Sequence, residues 1–146
     1  MTVAIDAECP KRALLDGVRM LTPVLEPNGF KFRLTKTGKG SGGYYAFGAF
    51  KNGTRELELH FRHSLGLVTY RIGAAELDHT SYMRLLNAHG QNRFPGFQKN
   101  PEQSFADLKH DLSHFCEDFL SGSGEQFRRL SSQLAQDPQM FKGLPK

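Results

Sequence analysis

The chain has 146 residues, 38% of them hydrophobic, with 12 Phe, no Trp, a net charge of +4 and a pI near 9.2. That length suits one domain able to bury about two-thirds of its unfolded surface around a Phe/Leu core. The mild basicity admits acidic-protein or nucleic-acid partners without requiring either, and no apolar run approaches the roughly 20 residues of a membrane-spanning helix. Cys9 and Cys116 lie far apart, with no CxxC pair and no secretory leader, which points to a reduced, cytoplasmic protein.

Residues 1–9 carry no pattern and read as a loose start. Pro10 suits a first helical turn, and Leu14, Val18, Leu21 and Leu25 repeat at helical spacing. A helix over 10–22 follows, loosened at Pro23 and ended by Pro27-Asn28-Gly29. Phe30, Phe32 and Leu34 then alternate with Lys31, Arg33 and Thr35, predicting a strand that is apolar on one side and basic on the other. The Gly-rich run 35–43 (TKTGKGSGG) lacks the GxxxxGK[ST] spacing and the following helix of a phosphate loop, so it reads as a hairpin loop.

The stretch from Tyr44 to Ile72 predicts an antiparallel meander. Asn52-Gly53 at the centre of a type I′ turn opposes Lys51 to Thr54. Tyr44, Ala46 and Gly48 then face Phe61, Leu59 and Leu57 on a core side, the small residues leaving room for a helix to approach. Tyr45, Phe47 and Ala49 meet His60, Glu58 and Glu56 on the other side. With Ser64 and Leu65 central in the next turn, Phe61 pairs with Val68, Leu59 with Tyr70 and Leu57 with Ile72, while Glu58 meets Arg71.

Beyond Gly73, Asp78 is a candidate N-cap for a helix through Tyr82, Leu85, Leu86 and Ala88, closed by Gly90. Arg93–Phe97 reads as a turn, and Asn100-Pro101-Glu102-Gln103 as a helix start. Phe105, Leu108, Leu112, Phe115 and Phe119 form an amphipathic stripe that ends at 121–124 (SGSG); Phe127, Leu130 and Leu134 give a last helix, and 137–146 a loose tail. The predicted fold is a single α+β domain over 1–146: a four-stranded antiparallel meander sheet with an N-terminal helix and C-terminal helices packed mainly on one face.

Few patterns carry chemistry. His110 and His114 in HDLSH share one helix side, but Asp111 stands where HExxH has Glu, and the pair falls on the side turned to water. No GxSxG occurs, and Cys116 shares the buried helix side, as a packed thiol would. Glu56 and Glu58 on one strand face are kept ionised by Arg62 and Arg71 nearby. No catalytic, cofactor-binding or metal residue is assigned. What remains is the outward sheet face, where Tyr45, Phe47, Glu58, His60, Arg62 and Arg71 make a candidate partner-binding surface, since Tyr and Arg are enriched at interaction hot spots. The alternative is a small enzyme or ligand-binding protein with its site around Glu58, His60 and Arg71. Nucleic-acid binding fits less well, because Glu56 and Glu58 repel phosphate; a homodimer through a sheet edge is a further reading.

The run LTPVLEPNGFKF followed by an aromatic meander ending LVTYRIG, over residues 18–73, resembles small uncharacterised bacterial proteins with a leading helix and a four-strand sheet. Some of these are similar to polymorphic-toxin immunity proteins, which neutralise a toxin by binding it. The resemblance implies a protein partner and no catalytic residues.

Overall fold

A computed structural model of the chain describes residues 8–41, 43–88, 90–95 and 101–136. Phe97, Asn100 and the 137–146 tail, all singled out above, lie outside the described residues.

Helix α1 (Glu8–Leu25) begins two residues before the expected start at Pro10 and runs through Pro23, longer than the 10–22 expected, while residues 1–7 lie outside the described residues. Proline removes one backbone donor there, but the adjacent Thr22 hydroxyl donates to the Val18 carbonyl (2.9 Å), and Leu14, Leu21 and Leu25 are fully buried on the inward stripe. Burial of that stripe, about 1.5–3 kcal/mol per fully buried aliphatic side chain, outweighs the local loss. A single 3-10 turn (Glu26–Asn28) ends the helix at Gly29, whose φ of 93° favours glycine.

Five strands follow: β1 (Lys31–Gly40), β2 (Gly43–Asn52), β3 (Arg55–Phe61), β4 (Leu65–Ile72) and β5 (Ala75–Asp78). They form one antiparallel sheet in the order β1-β2-β3-β4-β5, so the sheet is a meander of five strands and not four. The added strand is only four residues long, too short for alternation to mark it.

The Gly-rich run 35–43 is not a loop. Lys36, Thr37, Gly38 and Lys39 pair with Phe47, Ala46, Tyr45 and Tyr44, and a bulge between Leu34 and Lys36 restores the facing of the strand. The Tyr45 ring covers the Cα of Gly38, where a Cβ would meet its hydroxyl oxygen at 2.6 Å. An aromatic laid across a glycine supplies the packing that the glycine lacks. Gly48 is covered in the same way by Phe32, so the space expected there for a helix holds a neighbouring-strand ring instead. The close helix approach occurs at Gly17 of α1, against the Phe105 ring.

The hairpin registers differ from expectation by two residues. Asn52 pairs with Arg55, which makes Gly53 (φ 61°) and Thr54 the turn, and Gly48 meets Leu59 while Ala46 meets Phe61. Glycine first in a two-residue turn fits a type II′ geometry better than type I′. In the next hairpin Leu59 meets Val68, Leu57 meets Tyr70 and Arg55 meets Ile72. A shift of two preserves which face each side chain takes. Leu57, Leu59 and Phe61 are accordingly buried, and Glu56, Glu58 and His60 are half-buried on the opposite face. Thr69, across from Glu58 on that outward face, is only 5% exposed.

Helices α2 (His79–Leu85), α3 (Pro101–Phe115), α4 (Glu117–Leu120) and α5 (Glu125–Gln136) complete the fold. Asp78 caps α2 as expected, its carboxylate accepting from Ser81 N–H at 2.7 Å. The stripe predicted for one helix is divided between α3 and α4 at Cys116, yet Phe105, Leu108, Leu112 and Phe119 are all fully buried. Helices therefore stand on more than one side of the sheet. Those of the core meet the Leu57/Leu59/Phe61 face, whereas α5 flanks β5, with the Ser131 hydroxyl bonded to both the N–H and the carbonyl of Glu76 (3.0 and 3.2 Å). Arg55, at the start of β3, donates to the carbonyls of Asp118, Phe119 and Gly122, satisfying the acceptors exposed where α4 ends.

Candidate functional site on the outward sheet face

The residues that alternate outward from β1 to β5 make a continuous strip of contacts across the sheet. Tyr45 and Phe47, two apart on β2, stack with centroids 4.8 Å apart, and Phe47 lies nearly parallel to His60, its partner on β3, at 3.8 Å and 13°. The ring of His60 turns Nε2 to Glu58 Oε2 (2.9 Å), and Glu58 Oε1 accepts from Arg71 Nη1 at 2.6 Å. Arg71 also donates through Nε to Glu76 Oε1 (3.0 Å) and stands 3.6 Å from Glu56. The expected Glu58–Arg71 pair thus forms, but diagonally: directly across from Arg71 is Glu56, and across from Glu58 is Thr69.

Arg62 joins at the other end. Its guanidinium sits 5.4 Å from the Tyr45 ring centroid, and the Lys36 ammonium 5.9 Å from the same ring. All six residues expected on this surface, Tyr45, Phe47, Glu58, His60, Arg62 and Arg71, therefore stand in one connected row. Lys36 completes it, a residue that reading 35–43 as a loop left out.

Burial alone would raise the Glu58 carboxyl, but hydrogen bonds from His60 and Arg71 outweigh it and hold the group below its ordinary value. Since an ionised carboxylate only accepts, His60 carries a proton on Nε2. Burial would likewise lower Arg71, and the Glu58 and Glu76 carboxylates reverse that direction. Glu58 is thus a fixed anion between two donors. The ionic members of the row remain 23–31% exposed at His60, Glu58, Arg71 and Glu56.

A second polar cluster, absent from the sequence reading, lies in the interior. The carboxylate of Asp111 accepts from His79 Nε2 (2.9 Å), His110 Nδ1 (2.8 Å) and the backbone N–H groups of Arg93 and Phe94 (2.8 and 2.9 Å). Behind His79, Nδ1 meets the Tyr70 hydroxyl at 2.7 Å, and the Cys116 thiol donates to that hydroxyl at 3.8 Å. Every donor is satisfied if the protons point one way, from S–H to O–H to imidazole to carboxylate. Burial would raise Asp111, but these four hydrogen bonds hold it below its ordinary value. Burial pushes both the Tyr70 hydroxyl and the Cys116 thiol upward, and neither side chain reaches the surface.

This arrangement corrects the reading of the His110–His114 pair as turned to water, since His110 is only 16% exposed and bonded to Asp111. Asp111 is completely buried, Leu112 with it, and on that segment Ser113 and His114 are exposed. The signal was available, for Asp111 stands three residues after Leu108 and four before Phe115, within the apolar stripe. Among the described residues no group of three His, Cys, Asp or Glu is placed to hold a metal ion. A depression of about 350 Å³ lined by Leu86, His114, Phe115, Glu117, Asp118, Gly122 and Gln126 lies on the helical side, away from the strip.

No protein family, curated protein or solved structure matches this chain. No helix among the described residues is long and apolar enough to cross a membrane.

Proposed function

We propose that the chain is a non-enzymatic protein-binding module that uses the outward sheet face, in the manner of toxin-immunity proteins, to which some of the small bacterial proteins that residues 18–73 resemble are similar. The observation that carries this reading is the pre-ordered row Tyr45–Phe47–His60–Glu58–Arg71. Each side chain in it is held by its neighbours while keeping part of its surface for contact. Aromatic and Arg anchors fixed before association lose little entropy on binding, which favours them as hot spots.

The alternative, an enzyme working through Glu58, His60 and Arg71, has less support. General acid–base work favours a carboxyl raised toward the working pH, and Glu58 is moved the other way. Affinity capture from lysate of the native organism tests the binding reading. The wild-type chain retains a protein that Tyr45→Ala and Arg71→Ala each release, while their melting temperatures stay within a few degrees of wild type. Equal retention by all three chains overturns it.

A further inference from the structure

The two halves of the outward face differ in charge. From Lys31 to Asn52, β1, β2 and the turn between them contain five cations and no carboxylate: Lys31, Arg33, Lys36 and Lys51 on the outward side, and Lys39, across from Tyr44, on the other. On the β3–β5 half, Glu56, Glu58 and Glu76 gather around Arg71. The five cations are exposed, and none is within salt-bridge distance of a carboxylate among the described residues, although Lys51 stands across from Glu56. Lys36 and Arg62 lie near the Tyr45 ring and Lys39 near Tyr44, contacts that leave their charges uncompensated.

The two edges of the sheet also differ. That of β5 is occupied by Ser131 of α5, whereas β1 ends the sheet on its own side among the described residues. Lys31 and Arg33 stand two apart along that edge, and the bulge brings Lys36 to the same face after them. Such spacing, about 7 Å per pair of residues, is also that of alternate side chains in an extended peptide.

We infer that the partner presents an acidic, extended segment that pairs with the β1 edge, its carboxylates meeting Lys31, Arg33 and Lys36. This rests on the protein-binding reading and gives it a partner chemistry. Backbone hydrogen bonds supply the docking and the cation row the selectivity. A second copy of the chain fits poorly, because β1 holds no carboxylate, so two β1 strands bring their cations together with nothing to offset them. Nor does a single-stranded nucleic acid fit as well. Phe47 is stacked between Tyr45 and His60, and Tyr45 packs over Gly38, which leaves little ring face for a base.

The test uses the full chain and fluorescence anisotropy with three labelled probes of about ten units: alternating Glu-Thr, alternating Lys-Thr and oligo-dT, each with a salt series. We expect the Glu-Thr peptide to bind at least tenfold more tightly than either other probe and to weaken with salt. The triple variant Lys31→Glu/Arg33→Glu/Lys36→Glu loses that binding at least tenfold. Arg19→Glu/Arg128→Glu/Arg129→Glu, with the same charge change elsewhere, keeps it within about threefold. A Lys31→Gln/Arg33→Gln/Lys36→Gln chain, checked by circular dichroism, replaces the reversal if that fails to fold, and the expected loss is then at least fivefold. Tighter binding of oligo-dT, equal loss in the two reversals, or no binding of the Glu-Thr peptide overturns the inference. Lysate capture separates the two readings. A partner released by Tyr45→Ala but retained by the β1 triple variant leaves the binding face standing without its acidic specificity; a partner retained by both overturns both.

Discussion

The outward strip and the interior cluster are built from the same parts in the same order: aromatic, imidazole, carboxylate. Phe47–His60–Glu58 lies half-exposed on the sheet, and Tyr70–His79–Asp111 lies wholly inside. Position alone separates their roles. Inside, no water can replace a lost partner, so each hydrogen bond fixes architecture: Asp111 ties the Arg93–Phe94 backbone and His79 to α3. Outside, water competes for every contact, and the same groups contribute little to folding while staying available to another molecule.

The comparison breaks most readily at Asp111. Replacing it with Ala strands His79 and two backbone donors in the interior, and we expect a loss of about 3–5 kcal/mol in urea unfolding. A loss below that of Glu58→Ala would mean that the interior cluster is wet. Leu59→Ala, at a fully buried position, should lose about 2–5 kcal/mol, against about 1 kcal/mol for Phe47→Ala, whose stacking is partly solvated. Equal losses in thermal and chemical melts would place Phe47 in the core.

The hydroxyls of two core tyrosines sharpen the contrast. That of Tyr70 bonds His79, and that of Tyr82 has no partner among the described residues. Tyr70→Phe should therefore cost about 1–2 kcal/mol, while Tyr82→Phe should be neutral or slightly stabilising. The smallest difference is in acid. Asp111 and Glu58 are both held below their ordinary values of 3.8 and 4.5, so the stability each contributes is complete above those values. It is lost as pH falls through the lower folded value. Asp111→Asn should flatten the acid limb of a stability–pH curve below about pH 4 more than Glu58→Gln does; the reverse order would show that the strip is the more tightly coupled of the two.

How much of this was legible depended on the range of each signal. Facing was legible because it needs only alternation, and the alternation of Leu57, Glu58, Leu59 and His60 survived a register error of two residues. Register itself was not, because Asn52-Gly53 fits a type I′ turn on paper, whereas Gly53 takes the first central position. The β1–β2 extension was hidden by its glycines, whose packing comes from Tyr45 and Phe32 on other parts of the sheet. The pairing of His79 with Asp111 spans 32 positions, beyond any local pattern. Asp111 itself was readable, since its spacing from Leu108 and Phe115 places it inward.

The Ser131 hydroxyl has a consequence for how such chains meet at high concentration. A fibre grown by joining sheets end to end needs two accepting borders on every unit, one for each neighbour. With one border occupied by α5 and the other lined by cations that repel their like, neither border accepts a second copy. Loosening α5, as Ser131→Pro would, should turn a chain that stays dispersed into one that polymerises.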